Sequence, residues 1–306
     1  MPQLKERNWD LMEVGEEFGP VEVVITDHLI KSFAYAVDDY NPAYLVGLPG
    51  VGRIGHPTIL CRETRDVIRT AYDLHSGGAG LHAKNEAELI ASPRLGQRII
   101  ITGRYADKYI RREKQYVVLE AEAKDERGNL VLRHRSTHLR GLKEGVAKAA
   151  ASERVAAGSA PTIVGSPIVE VASGDTPLGA QLRPVAKSLT QEQLTVFAGT
   201  EGKNIHNDLE MARAAGLATT VASGLQTMAY ISEVMTNFCG QGWREGGKLA
   251  VAFIAPVYQG DTVYASGQVK EKAKDTDGLR IFLEVWCENQ TGTRVTVGTA
   301  SGLLAH

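Results

Sequence analysis

The amino-acid sequence predicts an α+β protein made of two similar halves, and three observations carry that prediction. First, segments with strict alternation cluster at the end of each half, Val263/Ala265/Gly267/Val269 and Ile281/Leu283/Val285 being the clearest, which marks strands with one buried face. Second, short turns rich in Gly, Asn or Asp (ERGN at 126–129, NQTG at 289–292) join these segments, so the sheets should be antiparallel. Third, the same order of segments occurs twice. Strands do not alternate with helices, which excludes a doubly wound parallel sheet.

In chain order, each half opens with a Gly-bearing segment, VGEEFGP at 14–20 and PLGAQLRP at 177–184. A short helix should follow, over Asp27–Val37 and over Gln191–Gly199, the second started by the capping box Thr190-x-x-Gln193. Polar turns come next, VDDYNPAY at 37–44 and GTEGKNIH at 199–206, and then longer helical segments near 57–73 and 220–238. Strands are expected near 98–106, 115–123 and 130–138, and again near 248–255, 262–270, 279–287 and 294–301. The Ala/Ser/Gly-rich stretch between them divides the chain into an N-terminal domain (1–142), a linker (143–166) and a C-terminal domain (167–306).

Composition narrows the function by exclusion. With 34 basic and 36 acidic side chains the net charge is −2, so neither a nucleic-acid nor a polybasic membrane partner is indicated. No apolar run of about 18 residues exists, and the first residues lack the apolar core of a signal peptide. Three scattered cysteines, Cys61, Cys239 and Cys287, spell neither a disulfide framework nor a zinc site, so a cytoplasmic location is expected. The histidines show no metal-ligand spacing, and no phosphate-binding loop motif is present, so no metal and no nucleotide cofactor is expected.

The stretch 197–232, FAGTEGKNIHNDLEMARAAGLATTVASGLQTMAYIS, is the most specific part of the chain. It resembles the hydratase motif of the MaoC-like, or (R)-specific enoyl-CoA hydratase 2, family, whose members have the hot-dog fold. In that motif an Asp precedes a His by five residues with Asn-Pro between, a His-Gly pair follows 22 and 23 after the Asp, and a Ser 31 after it. This chain matches the spacing without gaps at Glu201, His206, Ser223-Gly224 and Ser232. It departs from the motif in Glu201 for Asp, Ser223 for His, and Lys203-Asn204 where Asn-Pro is usual. A weaker copy, DYNPAY, keeps Asp39, Asn41 and Pro42 but has Tyr44 in place of the His; Asp39 to Glu201 and Tyr44 to His206 are both 162 residues apart.

The resemblance implies two tandem hot-dog domains, each a long helix wrapped by a curved antiparallel sheet, paired as an internal pseudo-dimer. It implies a reversible hydro-lyase that adds water to a 2-enoyl-CoA to give an (R)-3-hydroxyacyl-CoA. Glu201 and His206 would hold the water, the Gly224 N–H would bind the thioester carbonyl, and the Ser232 hydroxyl would orient the site. Lys203, Asn204 and Ser223 would border the substrate, Lys203 either reaching Glu201 or pointing outward to a CoA phosphate or substrate carboxylate. No separate cofactor is implied, since CoA belongs to the acyl-CoA substrate, and a homodimer is the further assembly the family suggests. The chemistry fits these residue types: a carboxylate and an imidazole on one water do acid/base work worth roughly 10²–10⁴-fold, and a helix-start N–H stabilises an enolate oxygen.

Two alternatives stand beside this one: a hot-dog thioesterase, and a non-catalytic acyl-CoA binding or partner subunit favoured by the altered motif. The first half is expected to do no chemistry, since a phenol titrates near 10. Asp39 with Asn41-Pro42 reads as an Asx turn, and the Gly-rich loop GLPGVGRIG at 47–55 is a candidate wall of an acyl tunnel. The basic run Arg104, Lys108, Arg111, Arg112, Lys114, balanced by Asp107 and Glu113, reads as a solvated hairpin.

Overall fold

The computed structural model describes residues 3–74, 76, 80–140, 166–199 and 202–304. The predicted linker at 143–166 lies outside the described residues apart from Ser166. Among the described residues no helix is long and apolar enough to cross a membrane.

The first half contributes strands β1 (Glu17–Val24), β2 (Leu81–Leu89), β3 (Arg98–Arg111), β4 (Lys114–Asp125) and β5 (Leu130–Arg140). The second contributes β6 (Val185–Ser188), β7 (Lys248–Phe253), β8 (Thr262–Asp275), β9 (Gly278–Asn289) and β10 (Arg294–Leu303). Their spatial order is β1-β3-β4-β5-β2 in one half and β6-β8-β9-β10-β7 in the other, the same order twice. This is an α+β double hot-dog. Every strand expected from alternation is present, with ends moved by a few residues. β1, β2 and β6 were not expected as strands.

The two half-sheets are one sheet. β2 pairs antiparallel with β7, from Lys84↔Ala252 to Glu88↔Lys248, so each edge strand satisfies the backbone groups that the other would leave open. On the outer face a ladder of charges crosses the seam: Arg133 reaches Glu122 and Glu88, and Glu88 also meets Lys248 at 3.1 Å. Beneath it, fully buried Asn85 of β2 donates to Met228 Sδ at 2.9 Å and accepts from His134 Nε2 at 2.8 Å. The other His134 nitrogen meets Thr64 Oγ1 at 2.8 Å, so one polar chain links a first-half helix, two strands and a second-half helix.

The short helices are α1 (Asp27–Val37), α2 (Pro42–Leu45) and α3 (Cys61–Arg65) in the first half. The second half has α4 (Gln191–Ala198), α5 (Leu209–Ala214), α6 (Gly224–Cys239) and α7 (Gln241–Arg244). α4 starts with the expected capping box at Thr190. α6 is the central helix; all of its residues except Gly224, Glu233 and Asn237 are buried, as befits a helix enclosed on every side.

Among the described residues the first half has no such helix. The segment expected to be helical over 57–73 is α3, five residues, followed by a 3₁₀ turn at Asp66–Thr70. Thr64 turns its hydroxyl back to the Leu60 and Cys61 carbonyls, a bond that bends helices, and β-branched Val67, Ile68 and Thr70 follow. A five-residue helix spans roughly 8 Å where a 16-residue one spans roughly 24 Å. The first-half sheet therefore wraps a partly empty core.

Four first-half histidines are held neutral by burial. His56 and His134 are pushed down to about 3, and His82 and His138, stacked 4.5 Å apart, lie well below the ordinary range. Unfolded, each titrates near 6.5. Below that pH the unfolded chain binds more protons than the folded one, so stability falls with acidification. Asp39 and Glu233, both raised by burial, Glu233 to about 7, act in the opposite sense but are outnumbered. Calorimetry should show a level Tm between pH 7 and 8 and a steady fall below pH 6.5; an unchanged Tm at pH 5 would contradict this.

Candidate active site

The polar turn at 202–208 is folded by its own side chains. Asn204 Oδ1 accepts from the His206 amide at 2.9 Å, and the Asn204 amide donates to Asn207 Oδ1 at 2.8 Å. Gln191 Nε2 of α4 donates to the His206 carbonyl at 2.9 Å. Two bonds then bring this turn to the residues before α6: the Val221 amide donates to the Ile205 carbonyl, and His206 Nδ1 bonds the Val221 carbonyl at 2.7 Å. A carbonyl can only accept, so the proton sits on Nδ1 and Nε2 is left as a lone-pair acceptor. Burial and, to a lesser degree, the Arg65 charge push His206 down to about 4 against the opposing Val221 bond. At neutral pH it is a neutral base of fixed tautomer.

Two residues beyond Val221, Ser223 caps α6, its backbone N–H accepted by Gln226 and its side chain facing the Leu225 amide. That leaves the Gly224 amide at the positive end of a 16-residue helix. A side chain here would collide, since a Cβ on Gly224 would sit 2.8 Å from the Phe253 ring. Gly224 thus serves close packing as well as backbone access.

His206, Asn204, Lys203, Ser223 and Gly224 all border one cavity of about 1360 Å³. It runs past Phe253 into the partly empty first-half core, where Arg65, His82, Tyr105, His138 and Arg140 line it. Phe253 joins the two ends, touching Gly224 on one side and stacking edge-on against His82 at 4.9 Å on the other.

Not every residue singled out in the sequence is gathered here. Glu201 lies outside the described residues. Lys203 points outward and pairs with Asp208 at 2.9 Å. Ser232 does not border the cavity; fully buried two turns along α6, it accepts from Trp243 Nε1 at 2.9 Å. The Gly-rich loop 47–55 does not line the cavity either, being closed on itself by the Leu48–Gly52 bridge. Asp39 does form the Asx turn, accepting from the Asn41 amide, and Tyr44 is fully buried beside His56. In the basic hairpin Arg104 pairs with Glu120, and Lys108 caps the Met12 carbonyl over the Trp9 ring. The cavity arginines and histidines of the first half were not marked by any sequence motif. Arg65, His82, His138 and Arg140 come from three separate elements, α3, β2 and β5, and only the fold brings them together.

Fold and site together define a double hot-dog protein whose second half carries the histidine turn and the helix start that borders the cavity. Residues 173–291 match the family model described as MaoC like domain. No curated protein matches the chain in sequence. Among solved structures it is similar to a MaoC-like dehydratase (17% identity, 95% of this chain and 98% of that one, TM-score 0.73). It is also similar to a conserved hypothetical protein of Mycobacterium tuberculosis described as having a double hotdog fold (16% identity, 97% and 98% covered, TM-score 0.64). A third is the peroxisomal multifunctional enzyme type 2 of Drosophila melanogaster, of whose longer chain 48% is covered (18% identity, 94% of this chain, TM-score 0.63). At these identities the shared feature is the fold.

The Ser232–Trp243 bond predicts a stability effect. Ser232→Ala leaves the buried indole N–H without an acceptor and should cost about 1–3 kcal/mol in urea unfolding. Trp243→Phe added to it should cost less than the sum of the two single changes; strict additivity would show that the bond carries no energy.

Proposed function

We propose that the chain is an acyl-CoA hydratase/dehydratase that adds water reversibly across the double bond of a 2-enoyl-CoA, giving an (R)-3-hydroxyacyl-CoA. The observation that carries the proposal is the presence, on one cavity, of a neutral His206 whose Nδ1 is engaged by Val221, leaving Nε2 as the acceptor, and of a helix-start amide at Gly224. His206 Nε2 takes a proton from water as the oxygen attacks Cβ, and the enolate oxygen that forms is held by the Gly224 N–H. The imidazolium then returns a proton to Cα, which leaves the thioester intact and the enzyme unchanged. Glu201, five residues before His206, shares the water in this scheme by its place in the motif. Both (R) stereochemistry and the CoA thioester rest on the likeness to the MaoC-like family.

Mass spectrometry of the protein incubated with enoyl-CoA and 3-hydroxyacyl-CoA thioesters tests this directly. Gain or loss of one water on an intact thioester is expected. Free CoA would point to a thioesterase, and no change with retained acyl-CoA binding to a non-catalytic subunit. His206→Ala should lower turnover by roughly 10²–10⁴-fold with an unaltered circular dichroism spectrum. Because His206 titrates near 4 in the folded chain, kcat/KM should stay level from pH 8 down to about 5.5 and fall as pH approaches 4. An acid limb centred on 6.5 would place the imidazole in water instead.

A further inference from the structure

The inner end of the cavity has a chemistry that a plain hydrocarbon tail does not call for. Arg140 on β5 is 6% exposed, and its Nε has no hydrogen-bond partner among the described residues. Around it, Arg7 Nε, Tyr105 Oη and both ring nitrogens of His82 are likewise buried and unpartnered, and all four side chains line the same cavity. Buried polar atoms are nearly always satisfied, so this concentration at one end of one cavity marks a place built for a polar guest. Its sign is positive. Arg65 is neutralised by Asp66, which it grips at 2.7 and 2.8 Å, and Arg69 by Glu63 at 2.9 Å, while Arg140 meets no carboxylate of the described residues at ion-pair distance. Arg7 feels the charges of Asp66 and Asp73.

We infer that this pocket binds an anionic group carried on the far end of the acyl chain, so that the preferred substrates are CoA thioesters of dicarboxylic or similarly ω-charged acids. The inference rests on the hydratase reading for the direction in which the acyl chain lies, from the thioester at Gly224 past Phe253 to Arg140. A carboxylate offers two acceptor oxygens to the guanidinium fork of Arg140 and to the Tyr105 hydroxyl, with neutral His82 able to donate a further bond. An alkyl terminus offers none and leaves the same groups orphaned, which is the situation in which sites discriminate most strongly. A phosphate of CoA itself has the same chemistry. The inner pocket is walled by Val117 and Leu119 of the first-half sheet and lies beyond Phe253 from Gly224, which assigns the group to the acyl end.

Binding of saturated thioesters to the wild-type chain, measured by calorimetry, tests this without any turnover. The pairs are succinyl- against butyryl-CoA, glutaryl- against pentanoyl-CoA and adipyl- against hexanoyl-CoA, matched in length and differing in the terminal group. At least one carboxylated member should bind on the order of 100-fold tighter than its partner. Arg140→Leu should abolish that preference, and Arg140→Lys should keep part of it. Equal affinity within all three pairs would overturn the proposal, with no variant needed. So would an Arg140→Leu loss that is equal for both members and disappears with 3′-dephospho-CoA thioesters, since the arginine would then hold the CoA phosphate. A carboxylate preference in binding with no hydration of the matching enoyl-CoA would leave the pocket assignment standing and remove the hydratase reading instead.

Discussion

Everything in the candidate site depends on the antiparallel pairing of Leu81–Leu89 with Lys248–Phe253. A five-stranded half-sheet ends in an edge whose open N–H and C=O groups invite uncontrolled pairing. Here the edge of each half closes the other, and the register places Ala87, Asn85 and Ala83 inward beneath the seam. The site follows from that seam. Phe253, the last residue of the second-half edge strand, touches both Gly224 and His82. Were the halves separate, the cavity would be cut across its middle.

Burial sets the chemistry of His206 more than any charge does. An imidazole at its ordinary value is partly protonated near neutrality and thus divided between two roles. Desolvation removes that division, and the Val221 carbonyl fixes which nitrogen keeps the proton. The same physics acts on the four buried first-half histidines, where no comparable function follows. A lowered histidine by itself therefore says little; what sets His206 apart is the helix start that borders the same cavity, the pairing on which the proposed reaction rests.

Much of the architecture was legible in the sequence because long strands such as 278–289 alternate cleanly and hairpin turns carry their own residues. β2 escaped because its inward face is Ala83, Asn85 and Ala87, small or polar residues that carry almost no strand signal. The first-half helix was overestimated because apolar spacing over 57–73 resembles a helix, while the hydroxyl of Thr64 and the branched residues after it shorten it. At the site, the spacing pointed to His206, Asn204, Ser223 and Gly224, and all four border one cavity, since turn and helix start lie close in the chain. Ser232 shares that spacing, yet its hydroxyl is taken by Trp243. Arg140, Tyr105 and His82 were unreadable, because their meaning lies in which face of which strand they occupy.

Joining two like units in one polypeptide also changes what a substitution can do. In a homodimer of identical subunits an exchange at one position is made on both sides of the axis at once. A helix shortened to open a pocket would then be shortened twice, and the core it supports would be lost with it. In this chain α3 and α6 stand at related places in the two units and are free to differ, one five residues long, the other sixteen. One unit supplies rigidity and the other supplies volume, a division of labour closed to a protein that must obey two-fold symmetry.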